Sequence, residues 1–296
     1  MLNYQDFIHP EDEAARRNME AVPGFSAAVK AFLKTGLEQY MYGVNMASKI
    51  RLSEKQLPEL YQKLPPICRK MGVEEPEFYL EMNPAPNAYT FGDTRIFLTI
   101  TSGLVEYLDD DELEAVIAHE CGHIVCRHVL YHTMANMLKA GADMFGLLGM
   151  FTTPVQLALY YWSRKSELSA DRAAAIVSGS PKPVVETMIR LSGGPKSITE
   201  KVDIEEYAAQ AEAYDALQEK TWDKALQTYA VAFLDHPFSS VRTREILKWC
   251  ETEQFSILMN NITLQESGTV CSTCYKPIEK DWKFCKYCGM KLENIN

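Results

Sequence analysis

Two histidines four residues apart, with a glutamate directly after the first, set the strongest constraint in this chain: His119-Glu120-Cys121-Gly122-His123. On an α-helix, positions i and i+4 lie one above the other on one face. His119 and His123 can therefore close on a single metal ion. Glu120 is rotated from His119 by about 100° and can reach a water on that metal. Two nitrogen ligands and a neighbouring general base are the parts of a hydrolytic zinc site. The preceding residues supply the helix this reading needs. Asp109, Asp110 and Asp111 can cap an N-terminus, and with Glu112 they suit the positive end of the helix dipole. Leu113, Val116 and Ile117 follow helical spacing. The plainer alternative is a surface helix with two solvated histidines. A buried, well-capped helix carrying two His and a Glu is hard to explain without a metal.

Composition bounds the rest. At 296 residues, 47% hydrophobic and 24% charged, the chain can bury a large core in one or two domains. A net charge of −10 argues against a nucleic-acid groove. Residues 1–20 include the charged side chains Asp6, Glu11, Asp12, Glu13, Arg16 and Arg17 and no apolar signal region. Four of the eight cysteines form two C-x-x-C pairs near the C-terminus, and the others are scattered, which fits a reducing compartment. A cytoplasmic address is expected. The apolar stretch 140–162 has a membrane-spanning length. Its Asp143, Pro154, Gln156, Thr152 and Thr153 favour a buried helix–loop–helix instead. Peripheral membrane association stays open and is not favoured.

Along the chain, Pro10 to Ala21 and Phe25 to Met46 read as helices. A further helix is expected from Ser53, where Ser53-x-x-Gln56 resembles a capping box, with Leu64-Pro65-Pro66 interrupting it. The period then becomes two. Glu77–Met82 alternates as a strand, and 87–91 with 95–100 reads as a hairpin around Gly92-Asp93. A small antiparallel sheet thus precedes the metal helix. Helices follow over 163–177, 184–191, 203–234 and 241–250, and 251–270 reads as a tether. The expected fold is α+β, mainly helical. Its domains are an N-terminal helical extension (1–48), a catalytic domain (49–255), a linker (256–270) and a C-terminal module (271–296).

A catalytic zinc needs a third protein ligand and an open position. Glu167 is the best candidate, in Ser166-Glu167-Leu168-Ser169-Ala170-Asp171-Arg172-Ala173. The small residues at 169, 170 and 173–175 let this helix pack closely. Asp171, four residues on, can accept the outer N–H of a ligating histidine. An ordinary solvated acid pair is the alternative.

Taken together, Asn87-Ala88-Tyr89, His119-Glu120-x-x-His123, Glu167-x-x-x-Asp171-Arg172-Ala173 and His236-Pro237 with Arg242 resemble peptidase family M48. These are gluzincin-type zinc metallopeptidases with CAAX-processing and HtpX-type branches. The resemblance spans residues 50–250 and implies a zincin-like peptidase domain with Glu167 as third zinc ligand. It also implies His236 and Arg242 as oxyanion donors. The strand at Asn87, Ala88 and Tyr89 would offer its backbone edge to an extended peptide. Two departures stand out. Cys121 replaces the usual apolar residue and reads as a small buried hydrophobe. The spanning helices of the two membrane branches are missing from the pattern, which weakens any case for prenylated substrates. His128 and His132 are four apart but lack an evident acidic partner, and read as packing or solvated residues.

Cys271-x-x-Cys274 and Cys285-x-x-Cys288 form a closed tetrahedral metal set, with Gly289 following the second pair. The module resembles a zinc ribbon, with iron as the chemical runner-up. Twenty-six residues are too few for a core, so metal would supply the folding energy. With five lysines against three acids it is too weakly basic to claim nucleic acid, and a protein partner or a substrate-presenting role is open. The expected function is a zinc endopeptidase acting on peptides or unfolded proteins, with one catalytic and one structural zinc. The rivals are a scaffold that presents the ribbon and a membrane-associated processing protease.

Overall fold

The computed structural model describes residues 2–139, 151–217, 239–266 and, of 271–292, all but 272, 275, 280 and 281. Helices α1 (Pro10–Glu20), α2 (Phe25–Phe32) and α3 (Leu37–Ser48) open the chain. The single helix expected over 25–46 is two. Gly36 takes the left-handed conformation at φ 66°, and the chain turns there. Strand β1 (Ile50–Arg51) follows. No helix starts at Ser53, because Ser53 and Gln56 bridge to each other in a turn. The helix instead begins late, as α4 (Pro58–Tyr61) and α5 (Leu64–Met71). Pro65 and Pro66 sit in the first turn of α5, where a missing N–H costs nothing.

Strands β2 (Glu77–Glu81), β3 (Ala88–Gly92) and β4 (Ile96–Thr101) complete a four-stranded sheet in the order β1-β2-β4-β3. The hairpin β3–β4 is antiparallel, with Ala88 opposite Ile100 and Gly92 opposite Ile96. The sheet is nonetheless mixed, not antiparallel as expected. β2 runs parallel to β4, Glu77 opposite Phe97 through Glu81 opposite Thr101. The chain crosses from β2 to the outer strand β3 and only then returns through β4 to the middle. That crossover leaves no mark in the local alternation of any strand.

Behind the sheet lie α6 (Ser102–Tyr107), α7 (Asp110–Val125), α8 (Val129–Lys139) and α9 (Thr153–Ser178). Then come α10 (Lys182–Gly193), α11 (Lys196–Thr199), α12 (Ile204–Leu217), α13 (Ser239–Cys250) and α14 (Glu253–Glu266). α9 is one continuous helix from 153, so the expected break before Ser163 is absent. Pro154 occupies its first turn, not its interior. Residues 140–150 of the apolar stretch lie outside the described residues. Among the described residues, no helix is long and apolar enough to cross a membrane.

The linker expected at 256–270 is helical as far as Glu266. Phe255, Leu258 and Ile262 recur at helical spacing and are buried in the main core. The ring of Phe255 meets Trp249 edge-on at 5.0 Å. That core gathers α5, α7, α10, α13 and α14 against the sheet. A second core, with Met19, Phe25, Tyr79 and Trp162, seats the N-terminal helices on α8 and α9.

Candidate active site and metal centre

Helix α7 starts at a capping box. Asp109 caps it, and the backbone N–H of Asp109 donates to Glu112 Oε2 at 2.8 Å. From Ile117 to His123 every residue is buried. Burial of a stretch this polar depends on the close approach of α9. A Cβ built at Gly122 would lie 2.8 Å from the Ala173 Cβ and 3.0 Å from the Ala170 Cα. Only glycine fits there, and the small residues of α9 face it.

That approach brings three donors together. His119 Nε2 and His123 Nε2 are 3.2 Å apart. Glu167 Oε2 is 3.4 Å from His119 Nε2, and its Oε1 is 3.4 Å from His123 Nε2. Ligands at zinc bond lengths of about 2.1 Å on a tetrahedron stand about 3.4 Å apart. The charges point the same way. Glu120, Glu167 and Asp171 are buried carboxylates, and the buried guanidinium of Arg242 offsets one of them. A divalent cation would balance the remaining pair. The donor set therefore fits zinc.

The surrounding groups hold these ligands in place. His119 Nδ1 is 3.0 Å from Asp171 Oδ1. Burial pushes the His119 imidazolium down, but Asp171 and Glu167 outweigh it and its pKa is pushed up to about 9. For His123 burial wins over Glu167, and the pKa falls. Arg242 Nε donates to Asp171 Oδ2 at 2.8 Å and its Nη2 to Oδ1 at 2.6 Å, and Nη1 lies 3.2 Å from Glu167 Oε2. Burial pushes Asp171 up, but Arg242 and His119 prevail and hold it below the usual carboxylate range.

His119 and Glu120 open on a cavity of about 200 Å³. Ala88, which begins the outer strand β3, and the preceding Asn87 line it, with Arg242 and Asp171. Val116, Val184, Met188 and Leu191 make one wall apolar. Tyr89 does not line the cavity. Strand alternation turns it to the other face, where its hydroxyl donates to Glu81 at 2.6 Å and accepts from Lys49 at 2.7 Å. His236 lies outside the described residues. Cys121 is wholly buried on α7, and burial with the Cys68 thiol alongside pushes its own thiol well up. It packs in the main core with Cys68, as a small buried side chain.

Peptidase family M48 matches residues 54–250, and a zinc-ribbon domain matches 270–292. This chain belongs to peptidase family M48. It is 33% identical over 261 residues to the plastoglobule-localized metallopeptidase 48, chloroplastic, of Arabidopsis thaliana, covering 87% of this chain and 76% of that protein. It is 26% identical over 203 residues to a protease HtpX homolog of Sulfurihydrogenibium sp. (strain YO3AOP1), covering 57% of this chain and 64% of that one. A protease HtpX homolog of Pyrococcus abyssi (strain GE5 / Orsay) is 30% identical over 172 residues, 47% of this chain and 58% of its own length. The M48 member thus spans less than two thirds of these HtpX homologues.

In the zinc ribbon the four cysteine sulfurs converge. Cys271 Sγ and Cys288 Sγ are 3.7 Å apart, and Cys274 Sγ and Cys285 Sγ 3.6 Å. Four thiolates at about 2.3 Å from one tetrahedral metal would stand about 3.8 Å apart. Each knuckle closes with a backbone bond, Cys271 N–H to the Lys276 carbonyl at 2.9 Å and Cys285 N–H to that of Met290 at 2.8 Å. Gly289 supplies the left-handed turn at φ 77°.

Two residues near the metal centre escaped sequence reasoning. His128 is wholly buried, a packing rather than a solvated histidine, and has an acidic partner in Asp12 at 3.0 Å. Asp12 sits in a run with no motif, more than a hundred residues upstream. The available signal was the fixed five-residue offset of His128 from His123, which by itself names no partner.

Proposed function

We propose that this chain is a zinc-dependent endopeptidase that cleaves extended or unfolded polypeptide. His119, His123 and Glu167 hold the catalytic zinc and Glu120 is the general base. The observation that carries the reading is the convergence of those three donors within 3.4 Å, beside Glu120 and a cavity bordered by an outer strand. Zinc bound there would supply Lewis acidity towards the scissile carbonyl and lower the pKa of the attacking water. Glu120, projecting into the cavity beside His119, takes the water's proton on its carboxylate and delivers it to the leaving amine. An extended peptide would lie along the outer strand β3 as a further strand, past Asn87 and Ala88. Arg242 is already engaged with Asp171 and Glu167. We therefore assign it to holding those carboxylates and leave His236, from its sequence context, as the donor to the oxyanion.

The four ribbon thiolates bind the second, structural zinc. The cytoplasmic setting and any protein partner of the ribbon rest on the sequence arguments alone.

The test sets wild type beside Glu120→Gln on unfolded casein. Glu120→Gln should lower the cleavage rate by roughly 10²–10⁴-fold while zinc content is unchanged. Equal cleavage by both forms, or none by a wild type carrying two zincs, would reject the proposal.

A further inference from the structure

His123 has a second ring nitrogen, and what it faces is unusual. Its Nδ1 lies 3.1 Å from Nδ1 of His128. His128 Nε2 lies in turn 3.0 Å from Asp12 Oδ2. Asp12 and His128 are both 0% exposed. Asp12 comes from α1, upstream of the segment matched by the family model. We propose that Asp12, acting through His128, is a positioning residue for the zinc ligand His123, so that the N-terminal helix completes the metal centre. The proposal rests on zinc binding by His119, His123 and Glu167.

The proton arrangement follows from the partners. A histidine that offers Nε2 to a metal must carry its proton on Nδ1. That proton needs an acceptor, and the atom in reach is His128 Nδ1. His128 can accept there only if its own proton is on Nε2. An ionised carboxylate accepts and cannot donate, so Asp12 selects that tautomer. Its other partners agree. Trp162 Nε1–H donates to Oδ1 at 3.0 Å, and Ser169 Oγ–H donates to Oδ2 at 2.5 Å. Burial pushes the Asp12 carboxyl up, but His128, Ser169 and Trp162 together bring it below the usual range. The His128 Nε2–H then lies beside the Asp12 carboxylate at 3.0 Å, a charge contact without the alignment of a hydrogen bond, and the His123 Nδ1–H faces His128 Nδ1 at 3.1 Å.

The two histidine ligands are thus held by different devices. Asp171 bonds His119 directly, from the helix that carries Glu167. His123 is reached by a carboxylate only through a second imidazole. His132 is not part of this line. Its ring centre is 4.5 Å from that of His123, but its Nε2 pairs with Ser166 Oγ at 2.7 Å.

The experiment measures zinc affinity by chelator competition on the full-length protein, taking as the catalytic site the one that His119→Ala abolishes. Asp12→Asn keeps size and the Trp162 bond but places an amide N–H opposite His128 Nε2. His128 must then turn its proton to Nδ1, where it meets the Nδ1–H of His123. Affinity at the catalytic site should fall about 10- to 100-fold. Trp162→Phe removes a different Asp12 hydrogen bond and leaves the carboxylate in place. It should lower thermal stability but keep zinc affinity within about threefold.

If Asp12→Asn does not fold, His128→Gln against His128→Leu decides. Gln retains an acceptor oxygen and should bind zinc several-fold more tightly than Leu. Three results would overturn the proposal: Asp12→Asn within about threefold of wild type, Trp162→Phe as weak as Asp12→Asn, or equal affinities for the Gln and Leu variants. Full zinc retention by His119→Ala would instead reject the zinc site itself, separately from the role of Asp12.

Discussion

Arg242 sits where two buried carboxylates would otherwise face each other. It bonds both oxygens of Asp171 and lies 3.2 Å from Glu167. Truncating one partner of such a buried set leaves uncompensated charge, at about 3–5 kcal/mol. Arg242→Ala should lower the unfolding free energy by that order in denaturant titration. Arg242→Lys should recover only part of it, because an ammonium cannot grip both oxygens of Asp171. A second residue reports on the N-terminal segment. Glu245 has His9 Nε2 3.8 Å and Arg244 Nη2 2.9 Å away, and these partners hold its carboxyl down to about 2 from an ordinary 4.5. A depressed carboxylate contributes stability above its unfolded pKa and loses it as pH falls through the folded one. Wild type should therefore lose stability between about pH 4.5 and about pH 2. Glu245→Gln should be less stable above that window and flatter across it, as read by thermal melts at stepped pH. Glu167 and Asp171 were legible as residues because a four-residue spacing is local. The partner that joins them, Arg242, came only from family resemblance, since no spacing relates positions 71 apart.

At the scale of elements, the site depends on how closely α7 and α9 approach. The small residues of α9 were readable as a packing face, and Gly122 shows what they meet. Gly122→Ala would force a Cβ to within 2.8 Å of Ala173, so the helices must part by some tenths of an ångström. Overpacking of this kind costs about 1–3 kcal/mol. We expect a lower melting temperature together with weaker zinc binding, since Glu167 rides on the displaced helix. An unchanged zinc affinity would mean that the ligands tolerate the shift. Other elements were less legible. The turn at Gly36 divides α2 from α3 although helical spacing runs on through the sequence. The helix at 253–266 was hidden by its Asn, Thr and Ser content, because three apolar residues, Phe255, Leu258 and Ile262, carry its buried face. Phe255→Ala should cost about 3 kcal/mol of stability, measured by denaturant unfolding, through lost packing on Trp249.

For the whole molecule, the two proposed metal sites, being of different kinds, predict two responses to metal removal. The ribbon has too few residues to fold on apolar burial, so its fold depends on the metal. The peptidase body has two buried cores independent of the metal ligands. Exhaustive chelation should collapse the NMR signals of Trp282 and its ribbon neighbours while most of the helical circular dichroism remains. Metal analysis should find two zincs per chain, one lost in His119→Ala and the other in Cys271→Ser. Loss of both in either variant would contradict independent sites.

The sequence by itself determined the helix that carries His119 and His123, the candidate third ligand and the ribbon. Each depends on local geometry: a 3.6-residue repeat stacks His119 on His123, and a two-residue spacer folds each cysteine pair into a knuckle. Tertiary structure alone decided the parallel pairing of β2 with β4, the turning of Tyr89 away from the cavity, and the line from Asp12 through His128 to His123. Those features depend on which distant segments approach and what they bury together. A carboxylate 116 residues from the imidazole it orients leaves no periodic trace, and only the packed core shows that the two share a hydrogen-bond distance.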